Sequence, residues 1–274
     1  MESINTNVGA MIALQNLSST SSQLQSTQNI ISTGLKVSSA KDNGAVYAIA
    51  QNQRATVSSL DAVTDSLNRN ASVVDVAMSA GDSITDLLTQ MKAKALAASD
   101  TSLDTTSRDA MQTDFDSLRD QITSTISNAS FNGIDILDGS TATLSALANA
   151  NGSATLTVQG QNMALGGSIV TVGTTASFGT ATSASALLST IDTSLTNVSA
   201  ALAKLGTSST ALQNHITFVG KLQDSLNQGI GNLVDADMAT ESSKLQALQT
   251  KQSLGVQALS IANQSTSTVL SLFR

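Results

Sequence analysis

The sequence contains no cysteine, no proline and no tryptophan, and aromatic residues make up only 2% of its 274 positions. Without cysteine, the chain can form no disulfide, no thiolate zinc site and no cysteine nucleophile. Proline would break a helix interior, so its absence is compatible with long uninterrupted helices. Since aromatic rings bury large areas in compact cores, their scarcity favours thin aliphatic helix seams over a thick globular core.

Charged residues are also scarce, at 12% of the chain, and the net charge is −7. Nucleic acids and anionic membranes bind clustered Lys and Arg, so we expect neither as a partner. No stretch approaches the roughly 20 apolar residues of a membrane-spanning helix. The first residues, MESINTNVGAMIALQNLSS, carry no basic region and no long apolar run. We therefore expect no membrane insertion and no cleaved secretory signal.

Apolar residues recur at alternating steps of three and four along five stretches, which is the spacing of an amphipathic helix seam. The predicted first seam runs through Ala10, Leu14, Leu17, Ser21, Leu24, Gln28, Ile31 and Leu35. The predicted last seam runs through Met238, Glu241, Leu245, Leu248, Gln252, Gly255, Leu259, Ala262, Thr266, Val269 and Phe273. Three further helices are predicted at about 57–98, 111–129 and 187–233, the last ending or bending at Gly229 and Gly231.

The middle of the chain loses this helical period. The stretch FNGIDILDG contains two turn signals, each an Asn or Asp with Gly, and a segment rich in Gly, Ser, Thr and Ala follows. Within it, residues 154–159 and 168–173 carry alternating or β-branched side chains. These two segments predict a β-hairpin or small sheet.

The predicted fold class is therefore mainly α. Long antiparallel helices from both chain ends form a coiled-coil-like rod, and a small β-hairpin region lies in the middle. A single helix with a narrow apolar stripe is marginal in water, because its stability comes mostly from burying that stripe on a neighbour. We therefore expect the helices at the two ends of the chain to pack against each other.

Few residues are suited to catalysis or metal binding. His215 is the only histidine, it matches no nucleophile motif, and we interpret it as a helix-flank residue. Asp235, Asp237 and Glu241 could form a metal cluster, but a helix start explains these acids better, with Asp235 and Asp237 as caps. The turn IDILDG lacks the ligand spacing of a calcium loop. We predict no enzyme activity, no cofactor and no metal.

Several stretches of the chain occur together in one known family. They are SINTN (3–7), STGLKVSSAKDNGAVYAIA (32–50), FNGIDILDG (131–139) and DADMATES (235–242), followed by an apolar C-terminal helix. In this order and spacing the chain resembles bacterial flagellin, the subunit of the flagellar filament. Asn43 to Val46 depart from the family's usual Asp-Ala-Ala-Gly.

The resemblance implies a subunit whose ends are disordered when free and pair on assembly. Residues 1–45 and 235–274 would form the helical inner core domain. Residues 46–234 would form an outer core domain of long helices, with the β-hairpin region at about 131–182. The chain is too short for the large variable outer domains of many flagellins, which implies a core-only subunit. It would self-assemble into a homopolymer or a mixed filament.

The family resemblance also implies an extracellular location in the flagellar filament. Export would occur through the flagellar type III apparatus, without a cleaved signal peptide. The implied partners are an export chaperone and the hook-associated and filament-cap proteins.

The predicted assembly interface lies on the apolar faces of the two end helices. Its residues are Leu14, Leu17, Leu24, Ile31, Leu35, Leu245, Leu248, Leu259, Val269, Leu270, Leu272 and Phe273.

Two alternatives to a filament subunit remain at this point. A hook–filament junction protein shares the helical ends but generally resembles flagellin less through the SAKD and DADMATE segments. A secreted hydrolase on flagellin-like ends would need a catalytic insert, yet residues 140–185 contain no His, Asp, Glu, Lys, Arg or Cys.

One segment bears on recognition by vertebrate hosts. Flagellins sensed by Toll-like receptor five carry a motif close to Leu-Gln-Arg-Val-Arg-Glu-Leu. The corresponding segment here, residues 88–94, reads LTQMKAK and lacks an Arg and the Glu. We therefore expect weak or absent activation of this receptor.

Overall fold

The structure is a computed structural model that describes residues 6–271, and for 265–271 it describes the backbone only. Five helices and two strands follow in the order α1 (Val8–Thr33), α2 (Gly44–Ala98), α3 (Thr105–Ser127), β1 (Thr143–Leu147), β2 (Thr155–Gln159), α4 (Ala181–Val234) and α5 (Met238–Ser271). This order confirms the predicted mainly α class with a small hairpin in the middle.

The chain divides into two compact units. One, here called the terminal unit, comprises Met1–Ala55 and Ser225–Arg274, and the other, the central unit, comprises Thr56–Asp224. Among the helices that the structure describes, none has both the length and the apolar character needed to cross a membrane.

The predicted helix seams supply much of the core of the central unit, and buried residues between α3 and α4 complete it. Leu60, Leu67 and Val74 of α2 are buried, and α3 and α4 bury their own seams in the same unit. Phe115 of α3 packs edge-on against Phe178, with the ring centroids 5.2 Å apart. Aliphatic side chains thus supply most of this core, as the low aromatic content predicts.

Two helices are longer than predicted. The helix α2 begins at Gly44, because the Asn43 side chain accepts a hydrogen bond from the backbone of Val46 and starts the helix there. The helix α4 begins at Ala181 and continues past Gly229 and Gly231 to Val234, so a helix end at these glycines is wrong. A single glycine costs a helix only about 1 kcal/mol, which burial of the neighbouring seam outweighs.

Only one of the two predicted strands is present. Residues 155–159 form β2, but their antiparallel partner is β1, with Leu144 opposite Val158. Residues 168–173 form no strand. Val170 and Val172 are buried there, and the backbone N–H of Thr171 donates to the Ser194 hydroxyl of α4. The segment is therefore bonded to a helix instead of pairing as a strand.

A buried arginine organises the corner between α2 and α3. Arg108 is only 8% exposed, and its guanidinium donates to three backbone oxygens, those of Ala98, Asp100 and Leu103. The carbonyl of Ala98 belongs to the last turn of α2, where no intrahelical donor remains. Arg108 therefore caps one helix and fixes the loop that leads to the next.

The first turn of α3 is predicted to be sensitive to acid. The hydroxyl and backbone N–H of Ser107 hold the pKa of Asp104 below its ordinary 3.8. Because the folded pKa is lowered, the stabilisation is complete above 3.8 and is lost as pH falls through the folded value. Asp104→Asn keeps a capping side chain that does not titrate. The variant should lose less free energy of unfolding between neutral pH and about pH 3, and equal losses would contradict this assignment.

Candidate assembly interface

The two end helices, α1 and α5, pack against each other in antiparallel order. At one end Leu35 forms an isolated antiparallel bridge with Asp235. Leu17 lies close to Gly255 further along, and at the far end the Asn7 side chain donates to the carbonyl of Ala262 at 2.8 Å. These three contacts fix a single register between the first and the last helix.

Most predicted interface residues within the described part of the chain are partly or fully buried. Leu248 is the most buried, at 4% exposure. The half-buried ones are Leu17, Leu24, Ile31, Leu35, Leu245 and Leu259. On α5 the predicted seam matches the pattern of reduced exposure from Glu241 to Ala262. Both helices therefore bury a narrow stripe, as their short apolar repeats require.

Leu14 departs from this pattern, with 56% of its surface exposed. Further large apolar residues on the two helices are also exposed, namely Val8, Met11, Ile12, Met238, Leu254, Val256 and Ile261. The side chains of Val269 and Leu270, and all of Leu272 and Phe273, lie outside the described part of the chain. The pairing of α1 with α5 thus leaves several large apolar side chains uncovered.

The polar residue that α1 buries is not the one predicted for the seam. Gln28 is exposed, and its neighbour Thr27 is only 1% exposed. The hydroxyl of Thr27 has no hydrogen-bond partner. A buried hydroxyl without a partner costs roughly 1 to 3 kcal/mol, so this position weakens the contact between α1 and α5.

The helices approach closely where α5 carries a glycine. A Cβ atom placed on Gly255 would lie 3.2 Å from the Cδ1 atom of Leu17. That separation is tighter than an ordinary van der Waals contact. Gly255 therefore admits the Leu17 side chain between the helices.

The loop after α1 closes the end of the helix pair. Gly34 ends α1 in the left-handed conformation, with φ of 71°. Beyond it, the backbone N–H groups of Lys36 and Val37 both donate to the carbonyl of Val234, and the Lys36 ammonium donates to that of Asn232. The last carbonyls of α4, which lack intrahelical donors, are thereby satisfied.

Aspartate side chains stabilise two loops of the terminal unit, the one that precedes α2 and the one that precedes α5. Asp42 accepts from the backbone N–H and hydroxyl groups of both Ser38 and Ser39, and these bonds lower its pKa. Asp237 starts α5 by accepting from Thr240 and Ala239, which likewise lowers its pKa. The predicted capping role of Asp237 is confirmed, whereas the backbone of Asp235 bridges to Leu35.

The residues considered for chemistry have structural roles. The ring of His215 lies 2.8 Å from the carbonyl of Ala148 and beside Phe218. Asp135 and Asp138 accept backbone N–H groups two residues ahead, which is the turn interpretation of IDILDG. Burial raises the pKa of Asp135. Within residues 6–271, no group of three or more His, Asp or Glu side chains could hold a metal ion.

These features define a class of protein. It is a mainly α-helical chain whose first and last helices pair and still present apolar surface, without a cluster of catalytic groups among the described residues.

Comparison with known proteins identifies the family. The model of the bacterial flagellin N-terminal helical region matches residues 4–142, and that of the C-terminal helical region matches residues 188–273. Flagellin FljM of Caulobacter vibrioides is 62% identical over 274 residues, which are 100% of this chain and 99% of the relative. The flagellin of Brucella melitensis is 38% identical over 283 residues, covering both chains completely. The chain belongs to the bacterial flagellin family.

A solved structure agrees with the fold. A flagellar hook-associated protein from Vibrio parahaemolyticus superposes with a TM-score of 0.56 at 17% identity, covering 71% of this chain and 100% of that one. At this identity the likeness bears on the fold alone. The full-length identity to flagellins favours a filament subunit over the hook–filament junction alternative.

Proposed function

We propose that the chain is a structural subunit that self-assembles into the flagellar filament for swimming motility. The observation that carries this function is the contact between α1 and α5, which leaves exposed apolar residues such as Leu14 and Ile261 on its outer side. Neighbouring subunits would cover that surface. If each subunit contacts the next head to tail and the contacts do not close into a ring, the product is an open helical polymer.

In this proposal the inner core takes most of the terminal unit, and the outer core takes the central unit together with residues 46–55 and 225–234. Residues 1–45 and 235–274 would lie in the inner core, and residues 46–234 in the outer core. The predicted interface residues, including Val269, Leu270, Leu272 and Phe273, would form contacts within the inner core. Ordering these ends costs conformational entropy, which burial during assembly offsets.

The remaining functional expectations form part of the same proposal. The subunit would be exported without a cleaved signal peptide and function outside the cell. An export chaperone would shield its ends, and hook-associated and cap proteins would bind at the two ends of the filament. It would transmit torque mechanically, without a catalytic step.

Seeded polymerisation tests the proposal. Purified protein mixed with fragments of its own filaments, or with a kosmotropic salt that strengthens apolar burial, should form long filaments in electron micrographs. Protein that stays monomeric, or that forms only short capped assemblies, would argue against a filament subunit.

Thr27→Val should make the filament more stable to heat. Valine has nearly the same shape and lacks the buried hydroxyl without a partner, so we expect a gain of about 1 kcal/mol per subunit. The measurement is the midpoint temperature of filament disassembly. Thr33→Val is the matched control, because the exposed Thr33 hydroxyl already donates to Asn29. A lower midpoint for Thr27→Val would contradict the description of this seam.

Activation of Toll-like receptor five should be weak or absent. The segment at 88–94 lacks two charged residues of the motif, and its Lys92 pairs with Asp192 of α4 at 2.6 Å. Leu88 and Met91 of the same segment are buried. The measurement is the response of reporter cells that carry the receptor, and a response equal to that of an enteric flagellin would refute the prediction.

A further inference from the structure

We propose that Asn7 is a positioning residue that sets the axial register between the first and the last helix. The proposal rests on the proposed function, because the register matters through filament assembly. The Asn7 side chain has two functions: it caps the start of α1, and it bonds to the backbone of α5. Substitutions can remove these two functions separately.

The first task is visible in the bonds to α1. The Oδ1 atom of Asn7 accepts a hydrogen bond from the backbone N–H of Ala10 at 2.9 Å. Asn7 has an extended backbone and immediately precedes the first helical residue, Val8. This is the arrangement of an N-cap, which satisfies one of the donors that a helix start leaves free.

The second task reaches across to the other end of the chain. The Nδ2 atom of the same side chain donates to the carbonyl oxygen of Ala262 in α5 at 2.8 Å. Rotating the amide by 180° would place the NH2 group against an N–H donor and the oxygen against a carbonyl. Both bonds therefore require the amide in one orientation.

The backbone bridge between Leu35 and Asp235 lies at the opposite end of the helix pair. Most contacts along the seam are made by half-buried apolar side chains, and apolar contacts are not directional. A slip by one helical turn, about 5.4 Å, would replace one apolar contact by another. The bond from Asn7 to Ala262 exists in one register only, so it discriminates among the alternatives.

The backbones lie close together beside this bond. A Cβ atom placed on Gly9 would lie 3.9 Å from the Cβ atom of Ala262. At Gly255 the corresponding position lies 3.8 Å from the Cβ atom of Leu17. Both separations fall within the range that a disulfide bridges. Since the chain has no cysteine of its own, introduced pairs can report the register without interference.

Two substitutions separate the tasks of Asn7. Asn7→Asp keeps the N-cap acceptor but cannot donate, and its carboxylate would face the carbonyl of Ala262. Asn7→Ser also keeps a cap, but its side chain is too short to reach α5. Asn7→Ala removes both functions. If Asn7 acts only as a cap, Asn7→Asp and Asn7→Ser should behave like the natural chain and only Asn7→Ala should fail.

The experiment is elongation of wild-type filament seeds by each full-length variant. We expect the critical concentration to rise roughly three- to tenfold for Asn7→Asp and Asn7→Ser, the effect of losing one partly buried hydrogen bond. Values equal to wild type for both variants would overturn the proposal. Failure of the wild-type chain itself to elongate the seeds would instead count against the proposed function.

A disulfide readout tests the register itself. In filaments doped with a small fraction of variant, Leu17→Cys with Gly255→Cys reports the observed register, and Leu17→Cys with Leu259→Cys reports a slip of one turn. Asn7→Asp should lower the ratio of the first cross-link to the second. An unchanged ratio would contradict a register function.

A covalent bond should replace the lost hydrogen bond. Joining Gly9→Cys to Ala262→Cys by a disulfide should restore elongation to the Asn7→Asp chain. No rescue in a chain that is fully cross-linked would show that Asn7 acts by some other means than register.

Discussion

Removing the last ten residues, Ser265 to Arg274, is expected to abolish stable polymerisation while leaving the central unit folded. The deleted segment ends in VLSLFR, so it carries four large apolar side chains. Each such side chain contributes about 1.5 to 3 kcal/mol when it is fully buried. In the proposed filament these residues continue the seam of α5 past the start of α1 and pack against neighbouring subunits. Their loss removes contact energy from every subunit.

The measurement is seeded growth followed by sedimentation, together with far-UV circular dichroism of the free chain. The matched control replaces the four hydroxyl residues 265–268 with alanine, which keeps the length of the helix and its apolar end. This control should grow filaments, and the truncated chain should remain in the supernatant with the signal of its central helices intact. Normal growth of the truncated chain would refute the proposed function of the tail.

Replacing Arg108 is the second change with a large expected effect. Arg108→Met keeps the aliphatic stem but removes the donors to Ala98, Asp100 and Leu103. A buried carbonyl without a donor costs about 1 to 3 kcal/mol, and part of the corner will relax toward water. We expect the free energy of unfolding to fall by about 3 kcal/mol, which is a large share of a typical domain's stability.

Denaturant unfolding of the free chain measures this effect. Arg108→Lys is the matched control, since lysine keeps the charge but cannot direct several donors at separate carbonyls. The expected order of stability is wild type, then Lys, then Met. A Met variant within about 0.5 kcal/mol of wild type would show that solvent replaces the guanidinium at little cost.

Sequence periodicity predicted the α5 seam well because its inward positions are mostly apolar. It was less successful on α1, where Thr27 occupies an inward position. Steps of three and four only approximate the 3.6-residue turn, so the choice between Thr27 and Gln28 depends on which residue is apolar, and here neither is. A buried threonine gives no hydrophobic signal.

The strand prediction failed for a different reason. The strand partner Thr143–Leu147 reads TLSAL, which has little β-branched character, whereas 168–173 reads SIVTVG and has much more. β-propensity reflects the packing that surrounds a segment, and here α4 supplies that packing for 168–173. The register of α1 against α5 was likewise not predictable, because it depends on single contacts such as that between Asn7 and Ala262.

Amide hydrogen exchange of the free chain and of its filaments measures whether the two end helices fold only on assembly. We expect rapid exchange at 8–33 and 238–271 in the free chain, strong protection of both segments in the filament, and protection of the central helices in both states. Equal protection of the two end helices before and after assembly, or end helices that stay unprotected in the filament, would contradict it.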